Sequence, residues 1–180
     1  MNGTKLAGGP TQDEIMAVSL LKLGLLPSDT VLEIGCGTGR VSVAMAKAAA
    51  KVFSVDKRPD AVSLAAEAAR DAGVRNIEFF CTSAQEYLKN NQTYDCAFLG
   101  GTTGLVEILP ALVPKVKRTI VINAVLLSTL QHAVTILSNL GLLTEVVQVQ
   151  ISRSHPIAGS LMFRPIDPVF IIVARGSACS

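Results

Sequence analysis

Along this chain short apolar runs of strand length alternate with stretches whose apolar positions recur at helical spacing. The runs cover residues 30–34, 51–55, 76–81, 94–99 and 118–123. Helical spacing fills 41–50, 59–72, 105–113 and 127–140 between and after them. Ahead of the first run, Thr11-Gln-Asp-Glu14 has the form of a capping box, with Ile15, Val18, Leu21 and Leu25 on one helical stripe behind it. Gly24 and Pro27 end that helix, Gly73 and Gly141 end two later ones, and Pro59 suits a first helical turn. The strand-length runs are nearly continuous in apolar residues, as strands buried on both faces must be. Two β segments, 144–152 and 168–175, close the chain with no helix between them, so the last pairs antiparallel. Right-handed crossovers then predict one α/β domain over residues 1–180, with an N-terminal arm at 1–10. Its core is a seven-stranded, mostly parallel sheet with helices on both faces.

Ligands of such sheets sit at the carboxyl ends of the strands. The loops that matter are therefore 35–39, 56–58, 82–85, 100–104 and 123–126. The first holds Gly35, Gly37 and Gly39, which let the backbone turn sharply and let a ligand approach the main chain. Asp56 closes the second apolar run, 21 residues beyond Gly35, where a carboxylate can accept hydrogen bonds from ribose hydroxyls. The pair reads as a nucleoside pocket. A dinucleotide fingerprint would need a third glycine where Arg40 or Ser42 stands, and no Gly-Lys-Ser/Thr ends the loop, so a phosphate cradle is disfavoured. Glu33-x-Gly35-x-Gly37-x-Gly39 instead resembles motif I of the Rossmann-like methyltransferases that bind S-adenosyl-L-methionine.

Charge and composition narrow the field. Apolar residues make up 49% of the chain and charged ones 17%, an excess that points to surface covered by another subunit. A net charge of +2, no tryptophan and 4% aromatics give little support to a nucleic-acid interface. No apolar run reaches the length of a membrane span, and residues 1–10 lack the apolar core of a signal peptide. Cys36, Cys81, Cys96 and Cys179 show no Cys-x-x-Cys spacing, and with only His132 and His155 no metal-ligand set can be assembled. Reduced thiols in the cytoplasm are the plain reading.

The loop after the fourth run, Leu99-Gly-Gly-Thr-Thr-Gly104, has no carboxylate, amide or ring of the kind amino-group methylation of a base requires. Gly100 and Gly101 read either as a shelf for something bulky or as a flexible loop. Asn123 serves either as a donor to substrate or as a cap for the next helix. Arg153 and Arg164 offer forked donors to substrate carboxylates, or simply surface ion pairs.

Several stretches, in order, look like the decarboxylating precorrin carbon-15 methyltransferases of cobalamin biosynthesis. They are Gly8-Gly-Pro-Thr11-x-x-Glu14, Glu33 to Gly39, Phe98-Leu-Gly-Gly101, Val121-Ile-Asn-Ala-Val125, Val147-x-Val149-x-x-Ser152-Arg153, and Gly159-x-x-Met162-Phe163 with Pro168-Val-Phe. The resemblance implies a Rossmann-like methyltransferase fold, with S-adenosyl-L-methionine as cofactor and cobalt-precorrin-6B, an anionic tetrapyrrole, as substrate. It places cofactor contacts at Thr11, Glu33, Gly35, Cys36, Gly37, Thr38, Gly39, Asp56 and Ala84. Substrate contacts fall to Gly100, Gly101, Asn123, Arg153 and Arg164, with no metal. It also implies a homotetramer, and leaves open whether a carbon-5 precorrin methyltransferase is a partner. Thr82-Ser83-Ala84 stands where the family commonly has Gly-Asp-Ala, which leaves adenine contacts to backbone groups. An RNA adenine methyltransferase is the enzymatic alternative, and a methyltransferase-like binding module the non-enzymatic one.

Overall fold

The computed structural model describes residues 11–177; the arm at 1–10, with the Gly8-Gly-Pro10 part of the first motif, and Cys179 lie outside them. Helix α1 (Asp13–Leu23) starts one residue later than the capping box predicts. Its N-cap is Gln12, which makes no side-chain cap bond. The Glu14 carboxylate accepts from Arg153 Nη2 at 2.7 Å. The far end behaves as expected: Gly24 is left-handed, and its N–H reaches the Leu20 carbonyl.

Strands β1 (Thr30–Ile34), β2 (Lys51–Asp56) and β3 (Ile77–Cys81) alternate with helices α2 (Arg40–Ala46) and α3 (Pro59–Asp71). A one-turn helix α4 (Ala84–Tyr87) precedes β4 (Tyr94–Leu99). Then come α5 (Leu105–Leu112), a 3-10 turn (Val113–Lys115), β5 (Val116–Ala124), α6 (Leu127–Asn139) and β6 (Leu143–Val149). Strands β7 (Ser152–Ile157) and β8 (Ser160–Pro165) precede β9 (Val169–Arg175). The main sheet runs β3-β2-β1-β4-β5-β9-β6, and β9 lies antiparallel to both its neighbours. The predicted class is therefore observed, and the order reverses between β1 and β4, where open α/β sheets bind ligands.

Period-two alternation decides which face each strand residue serves. Val31, Val52, Cys96, Phe98 and Val121 pack with Ile15, Leu23, Val41 and Met45 under α1 and α2. Leu32, Ile34, Val55, Leu99 and Ile122 pack with Ile108, Leu112, Ala133 and Leu137 under α5 and α6.

Two expected elements need correcting and one is added. The segment 41–50 is helical only to Ala46. The short α4 was not foreseen; the Ser83 hydroxyl caps it by accepting from the Glu86 N–H at 3.2 Å. The β segment 144–152 stops at Val149, and the chain then builds the β7–β8 hairpin as a separate two-stranded sheet. Its turn residues Ala158 and Gly159 both have positive φ, at 47° and 77°, as a two-residue type I′ turn demands. Almost every residue of the hairpin is exposed, so it lacks the inward-facing alternation by which the other strands are recognised. Among the described residues no helix is long and apolar enough to cross a membrane.

Candidate active site

The loops after β1 and β4 meet backbone to backbone. Gly35, at φ 86°, donates its N–H to the Val55 carbonyl at 2.7 Å. Gly100 and Gly101 both donate to the Ile34 carbonyl, at 2.9 and 3.0 Å. A Cβ on Gly35 would stand 2.4 Å from the Gly101 nitrogen, so only glycine lets the two loops close on each other. Gly37 donates its N–H to Asp56 Oδ2 at 3.2 Å, which ties the glycine loop to the acid at the end of β2. Gly39 does something else: it is buried, and a Cβ there would meet the Ala65 backbone at 2.6 Å, so it brings α2 against α3.

Asp56 is 6% exposed and fully engaged. Its Oδ1 accepts the backbone N–H of Arg58 at 3.1 Å and Arg58 Nε at 3.0 Å. Its Oδ2 accepts Arg58 Nη2 at 2.9 Å besides Gly37. Burial pushes the Asp56 carboxyl up, but these donors outweigh it and hold the group below the usual carboxylate range. Beside it opens a cavity of about 400 Å³, within the range of small-molecule sites. Gly35, Asp56, Ser83, Ala84, Gly100 and Gly101 line it, with Ile34, Val55 and Ile108 as its apolar floor.

The floor residues belong to the α5–α6 face of the sheet. Glu33, odd-numbered like Val31, points to the opposite face. It is 1% exposed, accepts from the Ser42 and Ser54 hydroxyls, and is not among the cavity-lining residues. Burial pushes its carboxyl up to about 7, against the lowering effect of the two serines. Its place is beneath the loop rather than in the pocket. Cys36 is likewise buried, and burial together with the Glu33 and Asp56 charges pushes its thiol up, out of range for a nucleophile. Thr38 is half-buried and outside the lining set.

Parity also decides Asn123. It lies on the α1 face, 3.0 Å from the Ser19 hydroxyl, away from the cavity, and the N-cap of α6 is Leu126 with no side-chain bond. The helix cap foreseen for it is not formed. Thr11 presents its carbonyl to Arg40 Nη1 at 3.2 Å, so the start of α1 stands over the start of α2. Arg153 and Arg164 face each other across the β7–β8 hairpin; Arg153 pairs with Glu14, and both are exposed. The structure thus gathers Gly35, Asp56, Ala84, Gly100 and Gly101 around one cavity and leaves the two arginines outside its lining. Lys57, Arg58, Gln85 and Thr103 also line it. A basic pair directly after the acid was the available signal for the first two.

Comparison with known proteins agrees with this geometry. The precorrin methyltransferase domain family matches residues 5–175. A probable cobalt-precorrin-6B C(15)-methyltransferase (decarboxylating) of Methanosarcina acetivorans is 42% identical over 96% of this chain and 97% of its own. A solved precorrin-8W decarboxylase from Methanobacterium thermoautotrophicum superposes with a TM-score of 0.88 at 28% identity, over 92% of this chain and 91% of that one. A precorrin-6Y C5,15-methyltransferase from Geobacter metallireducens gives 0.88 at 29%, over 96% and 94%. A glycine loop bonded to the acid of the next strand, at the reversal of a seven-stranded sheet, is thus accompanied by likeness along nearly the whole chain, and the chain belongs to the precorrin methyltransferase family.

Proposed function

We propose that this chain transfers a methyl group from S-adenosyl-L-methionine to carbon 15 of cobalt-precorrin-6B and releases an acetate carboxylate as carbon dioxide, in cobalamin biosynthesis. The observation that carries the reading is one cavity bounded by the glycine loop, the Asp56 carboxylate and the Gly100–Gly101 shelf. The curated relatives whose names give this activity support the choice of substrate.

The residues fit such a cofactor. It has a ribose for a buried carboxylate, an adenine for the Ser83–Ala84 turn, and an amino-acid end for the main chain of Gly35, Gly100 and Gly101. None of these parts is a phosphate, in keeping with a loop that lacks a Gly-Lys-Ser/Thr ending. When bound, the sulfonium supplies the electrophilic methyl group. An electron-rich ring carbon brings its own electron pair, so no general base is required of the chain. Its residues bind, orient and exclude water, which aligned methyl transfer needs most. Arg153 and Arg164, side by side on the hairpin, are suited to the peripheral carboxylates of the tetrapyrrole.

We also place the chain in a homo-oligomer, a tetramer by family resemblance, in the cytoplasm. Leu161 and Phe163 expose 67% and 70% of their surface on one face of the hairpin, an apolar patch that suits a second copy. A carbon-5 methyltransferase as partner is a proposal on the same footing. Incubation with methyl-labelled cofactor and cobalt-precorrin-6B, followed by mass spectrometry of the corrinoid, tests the reaction. One methyl gained with carbon dioxide lost supports it, while label on RNA instead overturns it. Arg153→Ala is expected to weaken tetrapyrrole binding and leave cofactor binding unchanged; equal loss of both would refute the role given to Arg153.

A further inference from the structure

Asp56 is the group expected to accept the ribose hydroxyls, yet its acceptor capacity is already used within the chain. A carboxylate offers about four lone-pair directions. Here they receive the Arg58 N–H and Nε on Oδ1, and Arg58 Nη2 and the Gly37 N–H on Oδ2. Two of the four come from backbone groups fixed by the loops. The other two come from one guanidinium, whose side chain is 35% exposed at the cavity edge. Each oxygen holds one fixed donor and one removable donor, and a ribose diol needs one acceptor from each oxygen or two from one. We propose that the Arg58 side chain occupies the ribose acceptors of Asp56 and must leave before a nucleoside binds, so that Arg58 sets cofactor affinity by competition. The proposal rests on the cofactor reading above.

The geometry makes the competition stereochemically specific. The Nε and Nη2 donors lie in one guanidinium plane and address both oxygens at once, much as a vicinal diol would. Displaced, the guanidinium is already at the solvent edge, next to Lys57. Asp56 stays in place through Gly37 and the Arg58 backbone N–H, so its orientation does not depend on the departing side chain.

Calorimetry with S-adenosylhomocysteine tests this on wild type, Arg58→Met and Arg58→Lys. Loss of the two charge-assisted bonds is expected to tighten binding by about tenfold in Arg58→Met, with Arg58→Lys between. The gain should vanish with the 2′,3′-dideoxy analogue, a result that a merely structural role of Arg58 would not produce. Arg58→Met binding equally or more weakly than wild type, or gaining equally with the dideoxy analogue, would overturn the proposal and leave the cofactor reading intact. Failure of wild type to bind any adenosyl compound would overturn both. A second readout uses wild type alone. The Arg58 Nε–H resonance in ¹⁵N spectra is expected to move from a paired to a solvent-exchanging position as S-adenosylhomocysteine is added, and an unmoved resonance at saturation would refute displacement.

Discussion

Replacing Glu33 by glutamine removes a buried carboxyl, 1% exposed beneath the glycine loop. In the folded chain burial pushes this group up to about 7 from an ordinary 4.5. The Ser42 and Ser54 hydroxyls offset only part of that, and the Asp56 charge adds to it. A carboxyl with a raised folded-state value holds its proton more tightly folded than unfolded. Its contribution to stability is therefore fully present below about pH 4.5 and is lost as the pH climbs through about 7. The separation of the two values corresponds to about 3 kcal/mol across that window. Glutamine keeps an acceptor for both serines but cannot ionise. The difference in unfolding free energy, Glu33→Gln minus wild type, should thus be near zero at about pH 4 and rise to roughly +3 kcal/mol by about pH 8. Urea denaturation at a series of pH values measures it, with every other carboxylate shared by both proteins and cancelling in the difference. A difference that stays flat between pH 4 and 8, or falls, would refute the assignment of a proton-holding Glu33.

Gly35→Ala combines a left-handed backbone, about 1–2 kcal/mol for a side chain, with a Cβ placed 2.4 Å from the Gly101 nitrogen, about 1–3 kcal/mol of overpacking. A clear drop in melting temperature and loss of adenosyl-ligand binding should follow, and a wild-type melt with intact binding would contradict the loop contact. Arg118 donates to both oxygens of Asp29, which is 3% exposed, and to the Gly24 carbonyl at 2.9 Å. Arg118→Met strands that carboxylate and should cost about 2 kcal/mol in chemical denaturation; no loss would mean that Asp29 is well served by the Leu26 N–H alone. Phe163→Asp puts a charge at a phenylalanine that is 70% exposed on the hairpin. Sedimentation should show the oligomer dissociate; an unchanged assembly, or a monomeric wild type, would remove the hairpin as the interface.

What the sequence discloses about this site and what it hides follow one physical rule. Gly35, Gly37 and Asp56 were legible because they answer backbone needs at known strand ends: a positive φ, a close approach, an acid one strand over. The motif does not place Glu33 and Asn123 relative to the cavity, because a motif counts neighbours along the chain, whereas a strand sends successive side chains to opposite faces. Parity from Val31 would have put Glu33 under α2, and parity from Val121 would have put Asn123 under α1. The hairpin at 152–165 escaped because periodicity reports burial, and its strands bury almost nothing within the described chain. Arg58 could be noticed as the residue after next from an acid, but not understood. That four donors already meet Asp56 is a statement about directions in space, which spacing cannot encode. The same distinction says where substitution is informative. Glycine positions test the fold and the pocket together, so their loss cannot separate stability from binding. Arg58 bears on the pocket through a side chain whose removal leaves both loops anchored, which makes it the cleaner probe of what Asp56 is for.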